Sequence, residues 1–450
     1  MKKQTVILLL LFLGIFGVHA QEQVLSKVEA MELALEQNFG IQVAKNQVAI
    51  AANNKSILNS GYLPTLTGTA GANYDRDDST IEFPGQFNED GSPREDRDIY
   101  KAEAQRYNAA LNANYTLFDG LGRFYNYKRL KEQYQLSDLQ ARETIENTVV
   151  QLFSIYYEVA RLTENENVLQ QALNISQDRI KRAEYAFEYG QNTKLAILNA
   201  QVDVTNDSIN LLNTRQQLAN TLRDLNVILS QDLNKTYTVD TVVQFIPRLQ
   251  IEECVTQAHF NNVALLQAES NLSINAYDIK VNRSGYLPNL SLNGSYGWNL
   301  NQSPQTAFFP GVNTNNTRSF GLGASLSWNL FDGGGTTVRV KNAKIAYENQ
   351  ELVQKQITLE VDRDIQNALA IYENRLTIFN IQEQNVITNE NNFERSKEQF
   401  QLGRITSIEF REAQINLLNA QTNKNLAKYD AKLAELQLLQ LTGQLLNVDF

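Results

Sequence analysis

Apolar and polar positions alternate strictly in three stretches of the chain. Between Tyr107 and Leu117 one side reads Tyr107, Ala109, Leu111, Ala113, Tyr115, Leu117 and the other Asn108, Ala110, Asn112, Asn114, Thr116. From Leu290 to Leu300 the sides are Leu290, Leu292, Gly294, Tyr296, Trp298, Leu300 against Ser291, Asn293, Ser295, Gly297, Asn299. Phe320 to Leu330 repeats the pattern, and Leu66 to Tyr74 follows it more weakly. A period of two predicts four strands, placed at about 63–78, 106–119, 287–301 and 319–332. About eleven alternating residues make a strand roughly 35 Å long, which at a tilt near 45° stands about 25 Å tall, the height of a membrane-barrel band. Strands of a soluble sandwich are usually about half that length. Aromatic residues near the strand ends (Tyr62, Phe118, Tyr286, Phe331) strengthen the membrane reading.

The remaining pattern is helical and long. Neither Gly nor Pro occurs from Phe124 through Tyr189 or from Thr336 through Leu402, and glycine then falls at Gly190 and Gly403, where a tight reversal needs it. A helix of about 66 residues is about 100 Å long, far beyond the usual globular helix. Leu211, Leu218, Leu222, Leu225 and Leu229 keep the spacing of a coiled-coil seam, and the narrowness of the apolar stripe suits helices wetted on two sides. Long helical hairpins are predicted at 121–231 and 334–446.

The chain is written twice. Gly61-Tyr62-Leu63-Pro64 returns as Gly285-Tyr286-Leu287-Pro288, and Leu117-Phe118-Asp119-Gly120 as Leu330-Phe331-Asp332-Gly333. Gly190, Thr193 and Ala200-Gln201 return as Gly403, Thr406 and Ala413-Gln414, while Ala34 and Asn38 correspond to Ala258 and Asn262. Each copy reads helix, strand, loop, strand, long helix, turn, helix. The division expected is 1–20, a signal peptide; 21–235, the first repeat; 236–247, an inter-repeat segment; and 248–450, the second repeat.

Lys2 and Lys3 followed by an apolar run to Val18 and a small residue, Ala20, make the start a secretory signal, too short to span a bilayer. A net charge of −10 argues against nucleic acid as a partner. No helical stretch after the signal is long and apolar enough to span, so a membrane crossing would have to use strands. Cys254, the lone cysteine, forms no internal disulfide and reads as a small core residue. His259 is the one histidine beyond the signal, and no nucleophile–base pair or metal cluster can be nominated, so no enzyme, cofactor or metal site is expected.

The doubled architecture, the paired GYLP and LFDG phrases and the two glycine-threonine helix tips together resemble the TolC-like outer-membrane factors of efflux pumps and type I secretion systems. The resemblance covers nearly the whole chain. It implies an α+β membrane protein in which each subunit gives four strands to a trimeric twelve-strand β-barrel and its helices to a coiled-coil periplasmic tunnel. It implies an outer-membrane exit duct with a periplasmic extension, working with a periplasmic adaptor and an inner-membrane transporter in outer-membrane lipid. The tips at Gly190 and Gly403 would dock the adaptor. Arg404, Glu409 and Glu412 would form the periplasmic entrance and its ion selectivity. The family's polar lock is altered: Ala196 stands where an acidic partner is expected, Leu195 replaces a polar neighbour, and Phe400 replaces a tyrosine. Apolar tip contacts through Phe400 and Leu195, or pairing of Arg404 with Glu409 of a neighbour, are the alternatives. Polar segments Asp75–Gln105 and Asn301–Arg318 are expected as extracellular loops. The rival class is a periplasmic or surface coiled-coil scaffold without channel activity, which has no use for four membrane-height strands.

Overall fold

The computed structural model describes residues 24–303 and 313–448. The expected signal peptide and residues 304–312 of the second expected loop, with Pro304 and Pro310, lie outside the described residues. In chain order the elements are β1 (Val24–Leu25), α1 (Lys27–Gln37), α2 (Phe39–Asn54), β2 (Thr65–Ile81), β3 (Arg97–Asp119), α3 (Gly122–Glu188), α4 (Lys194–Ile228), β4 (Thr238–Val239), α5 (Arg248–Asn261), α6 (Val263–Arg283), β5 (Asn289–Ser303), β6 (Asn313–Ser327), α7 (Gly335–Gln401) and α8 (Ser407–Leu441). The order two helices, two strands, long helix, shorter helix occurs twice, with 67 residues in both α3 and α7 and 35 in both α4 and α8. Among the described residues no helix is long and apolar enough to cross a membrane.

The chain forms two compact units. One holds the described residues up to Ala49 with Leu136–Glu269 and those from Val353 on; the other holds Ile50–Gln135 and Ser270–Leu352. The first unit is helical. Its main core gathers Leu152, Phe153, Tyr156 and Tyr157 of α3, Leu225 and Leu229 at the end of α4, and Leu436, Leu438 and Leu439 of α8. The leucine seam expected in α4 supplies that core with Leu218, Leu222, Leu225 and Leu229, while Leu211 joins a second cluster with Leu169 and Leu173. Cys254 is buried in the main core. His259 is half exposed and sits 3.0 Å from Asp362.

Two asparagines do the same job at corresponding places. Asn38 ends α1; its side chain donates to the Ile228 carbonyl (2.9 Å) and accepts from the Ile41 amide (3.2 Å). Asn262 ends α5, donates to the Leu441 carbonyl (2.7 Å) and accepts from the Leu265 amide (3.1 Å). Each satisfies an orphan carbonyl at the end of a 35-residue helix and an orphan amide at the start of the next helix. The segment between the halves pairs in parallel with the start of the chain, Val24 opposite Thr238. Beyond β4 its backbone is held by side chains: Lys27 donates to the Val242 carbonyl (2.8 Å), Lys432 to that of Gln244 (2.8 Å), and Glu435 accepts from the Ile246 amide (3.0 Å).

The second unit carries an antiparallel sheet in the order β2-β3-β5-β6. Directly opposed residues share a face, so its rungs can be read across. Leu66, Ala113, Gly294 and Leu322 form one rung, and Gly68, Leu111, Tyr296 and Phe320 another. The opposite face carries Thr67, Asn112, Ser295 and Gly321, then Thr65, Asn114, Asn293 and Gly323. One side of the sheet is apolar and the other polar, as the alternation predicts.

The strand limits differ from the sequence reading in three places, one of them the second expected loop, Asn301–Arg318, where β5 runs to Ser303 and β6 already begins at Asn313. The stretch expected as a loop from Asp75 to Gln105 is mostly strand: β2 runs to Ile81 and β3 begins at Arg97, leaving 82–96 as the loop. Charged side chains do not stop a ladder held by backbone bonds, and here they add cross-strand contacts, Thr80 to Asp98 (2.6 Å) and Arg106 to Asp75 (3.7 Å). A bulge at Asp78 absorbs Tyr100 and Lys101, the latter at φ 57°. At the other limit β6 stops at Ser327, so Trp328 to Asp332, expected as strand, are not. Ser327 already faces the first residue of β5, Asn289, and the residues beyond it have no ladder partner within the chain.

Candidate functional site

Both helical hairpins turn on a glycine in the left-handed region, Gly190 and Gly403, each at φ 70°. The Gly190 amide donates to the Phe187 carbonyl (2.9 Å) and that of Gln191 to Ala186 (2.7 Å). At the second tip the Gly403 amide donates to Phe400 (3.1 Å) and that of Arg404 to Gln399 (2.9 Å). This is the Schellman closure, which satisfies two end carbonyls and needs a residue without Cβ strain at the turn.

The tips differ where the next helix begins. Thr406 caps α8 and Glu409 reaches back to it: the Glu409 carboxylate accepts from the Thr406 amide (2.7 Å) and hydroxyl (2.8 Å), and the Glu409 amide donates to the Thr406 hydroxyl (3.3 Å). Thr193 caps α4 without a side-chain bond, and Ala196, at the position of Glu409, has no carboxylate to reach back to it. The capping box gives Glu409 a local structural role. The Thr406 amide, then its hydroxyl, hold the carboxyl below its ordinary range, opposite to the rise that crowded acids would cause. Glu412 is exposed one turn on. Arg404 is exposed as well, and the bonds Glu409 makes within its own chain leave it less free to answer Arg404 of a neighbour.

Phe400 stacks on Phe410 with ring centres 4.8 Å apart and planes 8° from parallel, and Phe393 stacks on the same ring at 5.6 Å. The residue at the tyrosine position of the lock therefore works inside the chain as one layer of an aromatic stack. Leu195 is 64% exposed. Leu195, Ala196, Phe400 and Gly403 all line a cleft of about 880 Å³ between the two hairpins, together with Arg179 and Arg411; Arg404, Glu409 and Glu412 do not.

Behind this cleft lies a charge network that the sequence reading missed. Arg411 of α8 forms a two-pronged pair with Asp207 of α4 (2.7 and 2.8 Å), and Ser176 of α3 donates to the same carboxylate (2.6 Å). Arg179 pairs with Asp203 (3.0 Å) and donates to the Ser407 hydroxyl (2.9 Å). Gln414 donates to the Ala172 carbonyl (2.8 Å). Asp207 is 2% exposed and Arg179 5%. Burial pushes the Arg179 guanidinium down, opposed by Asp203. Buried charges persist only when paired, so this network fixes the three helices at the tips. In a chain where a fifth of the residues are charged, nothing in the helical pattern singles these out. The Thr406-x-x-Glu409 spacing, by contrast, was a readable signal.

The chain thus combines a sheet with one apolar and one polar face and two long helical hairpins with glycine tips. The profile of the family described as outer membrane efflux protein matches residues 30–231 and 254–444. The chain belongs to that family. Outer membrane protein TolC of Vibrio cholerae is 24% identical over 396 residues, covering 87% of this chain and 84% of the relative. Outer membrane efflux protein BepC of Brucella suis is 19% identical over 424 residues, covering 92% and 85%. Among solved structures, the Campylobacter jejuni CmeC outer membrane channel superposes with a TM-score of 0.73 at 19% identity, covering 93% of this chain and 86% of that one. The outer membrane protein VceC of Vibrio cholerae does so at 0.71 and 15%, covering 93% and 96%. The protein is a TolC-like outer-membrane efflux protein with a periplasmic helical extension, and the solved structures it resembles include outer membrane channels.

Proposed function

We propose that three copies of the chain close a twelve-strand barrel and act as the passive exit duct of a tripartite efflux pump or type I secretion system. The observation that carries this is the uncovered sheet. Phe320 is 78% exposed and Leu322 76%, and strands β2 and β6 each have a free edge. In lipid the apolar face is satisfied, but an open edge is not, because hydrocarbon offers no hydrogen bonds. Joining β6 of one copy to β2 of the next removes every edge, and threefold closure brings the strand number to about twelve, within the range of outer-membrane barrels. The polar face, Asn112, Asn114, Asn293 and Ser295, then lines the lumen.

Residues 21–235 and 248–450 are read as two copies of one unit joined by 236–247, their long helices building a coiled-coil tunnel wall. The hairpin tips at Gly190 and Gly403 are the surface offered to a periplasmic adaptor, through which an inner-membrane transporter delivers substrate. Threefold symmetry makes rings of Arg404, Glu409 and Glu412 at the tunnel entrance, and acidic rings favour cations. Mass measurement in mild detergent tests the assembly. It should give three subunits, and a stable folded monomer in lipid would overturn the reading.

A further inference from the structure

The four places where helices meet the sheet all lie at one end of it. The start of β2, the end of β3, the start of β5 and the end of β6 are in register there, Thr65 opposite Asn114, Asp119 opposite Asn289, and Asn289 opposite Ser327. The adjoining helical segments, 50–62, 122–135, 275–285 and 335–345, hold ten Lys and Arg against two acids, Glu132 and Asp278, in a chain of net charge −10. The other end has the reverse balance, with ten acids against five bases from Asp75 to Arg106. Between the two ends the strands are almost free of charge; Arg318 is the exception among 66–74, 107–118, 289–303 and 313–327.

Three of the ten cations are neutralised locally: Arg123 by Asp119 (3.2 Å), Arg129 by Asp278 (2.6 Å) and Arg339 by Asp332 (3.7 Å). Among the described residues, no carboxylate stands within ion-pair distance of Lys55, Lys128, Lys131, Lys280, Arg283, Lys341 or Lys344. Four of these seven lie over aromatic rings instead. The ammonium of Lys55 is 3.0 Å from the centre of the Tyr134 ring, Lys128 4.6 Å from Phe124, Lys131 4.5 Å from Tyr127, and Lys280 5.1 Å from Tyr277. On α3 the residues Phe124, Tyr127, Lys128, Lys131 and Tyr134 fall at three- and four-residue steps, so they share one face. Rings and lysine stems mixed in this way suit the boundary of a bilayer, where the stem is buried and the charge reaches the headgroups.

We propose that this collar binds the anionic headgroups of phospholipids in the leaflet on the helical side of the barrel. The proposal rests on the membrane-spanning reading of the strands and adds to it a lipid preference and the residues that set it. The phosphate of any phospholipid can meet a lysine, but only a net-negative headgroup gains from seven cations that have no carboxylate partner. Juxtamembrane lysines attract an anionic surface by about fivefold in affinity each, falling away with salt.

The test uses the full chain purified in mild detergent, titrated with phosphatidylglycerol or phosphatidylcholine and read by native mass spectrometry, with planar-bilayer conductance recorded on the same preparations. Wild type should retain phosphatidylglycerol at least about tenfold better than phosphatidylcholine. Lys128→Gln with Lys131→Gln and Lys344→Gln should remove most of that preference while leaving conductance intact. The Lys→Arg triple at the same positions should keep it, and a control triple in the other unit, Lys181→Gln with Lys235→Gln and Lys355→Gln, should not alter it. A channel that conducts yet binds both lipids equally, or whose preference survives the Gln triple, overturns the proposal alone. A protein that neither inserts nor binds lipid overturns the membrane reading and the proposal together.

Discussion

Replacing Asp207 by Asn is the sharpest perturbation of the tip network. The change keeps the shape of the side chain but removes the charge that receives both prongs of Arg411 and the Ser176 hydroxyl. Arg411 is then left with Asp203 at 3.6 Å, a carboxylate already engaged by Arg179. Breaking a buried pair by removing one partner costs about 3 kcal/mol, because the surviving charge stays out of water. If the tip opens locally, that cost raises amide exchange there by about 100-fold. Hydrogen–deuterium exchange should show the change in peptides covering 172–210 and 404–416 and none in 65–81 of the sheet. Asp207→Leu with Arg411→Met removes both charges and should fall close to wild type, since an apolar pair of similar volume is often neutral. Unchanged exchange in Asp207→Asn, or a double variant as labile as the single one, would refute a network held by compensated burial.

Glu409→Gln keeps a residue able to cap, whereas Glu409→Ala does not, so only the second should fray the start of α8 in exchange measurements. Glu409→Gln with Glu412→Gln should lower cation preference and multivalent-cation block without disturbing assembly; unaltered block places the constriction elsewhere. The depressed Glu409 carboxyl stabilises the cap fully above its unfolded value, and this contribution is lost as pH falls through the lower folded value, so tip exchange should quicken only on acidification below the ordinary carboxylate range. Asn38→Ala and Asn262→Ala should each cost about 1–2 kcal/mol, read as a lowered melting temperature, because each frees a helix-end carbonyl and an amide. Protease added to intact cells should cut within 82–96, and cutting only beside Gly190 or Gly403 would invert the topology.

Strands and long helices were legible because each rests on a one-dimensional signal. Alternation over Phe320–Ser327 places Leu322 and Ser325 on opposite faces whatever the neighbours do, and a Gly at 190 or 403 after a long run without one signals a turn. The strand ends were less legible, since the ladder from Asp75 to Ile81 is held by backbone pairing between polar residues that read as loop. Ala196 and Phe400 stand out by position as departures from the residues the family resemblance leads one to expect, but the stacking of Phe400 on Phe410 does not, as it depends on which helix faces bring α7 and α8 together. The Arg179, Asp203, Asp207 and Arg411 network was invisible for the same reason: its members come from three helices and are unremarkable in each.

Closure of the uncovered, two-edged sheet between subunits would make a conducting barrel. Planar-bilayer recording of the purified full-length protein tests it most directly. The preparation that gives a three-subunit mass should show discrete, uniform conductance steps, and a folded protein without steps would refute closure into a channel.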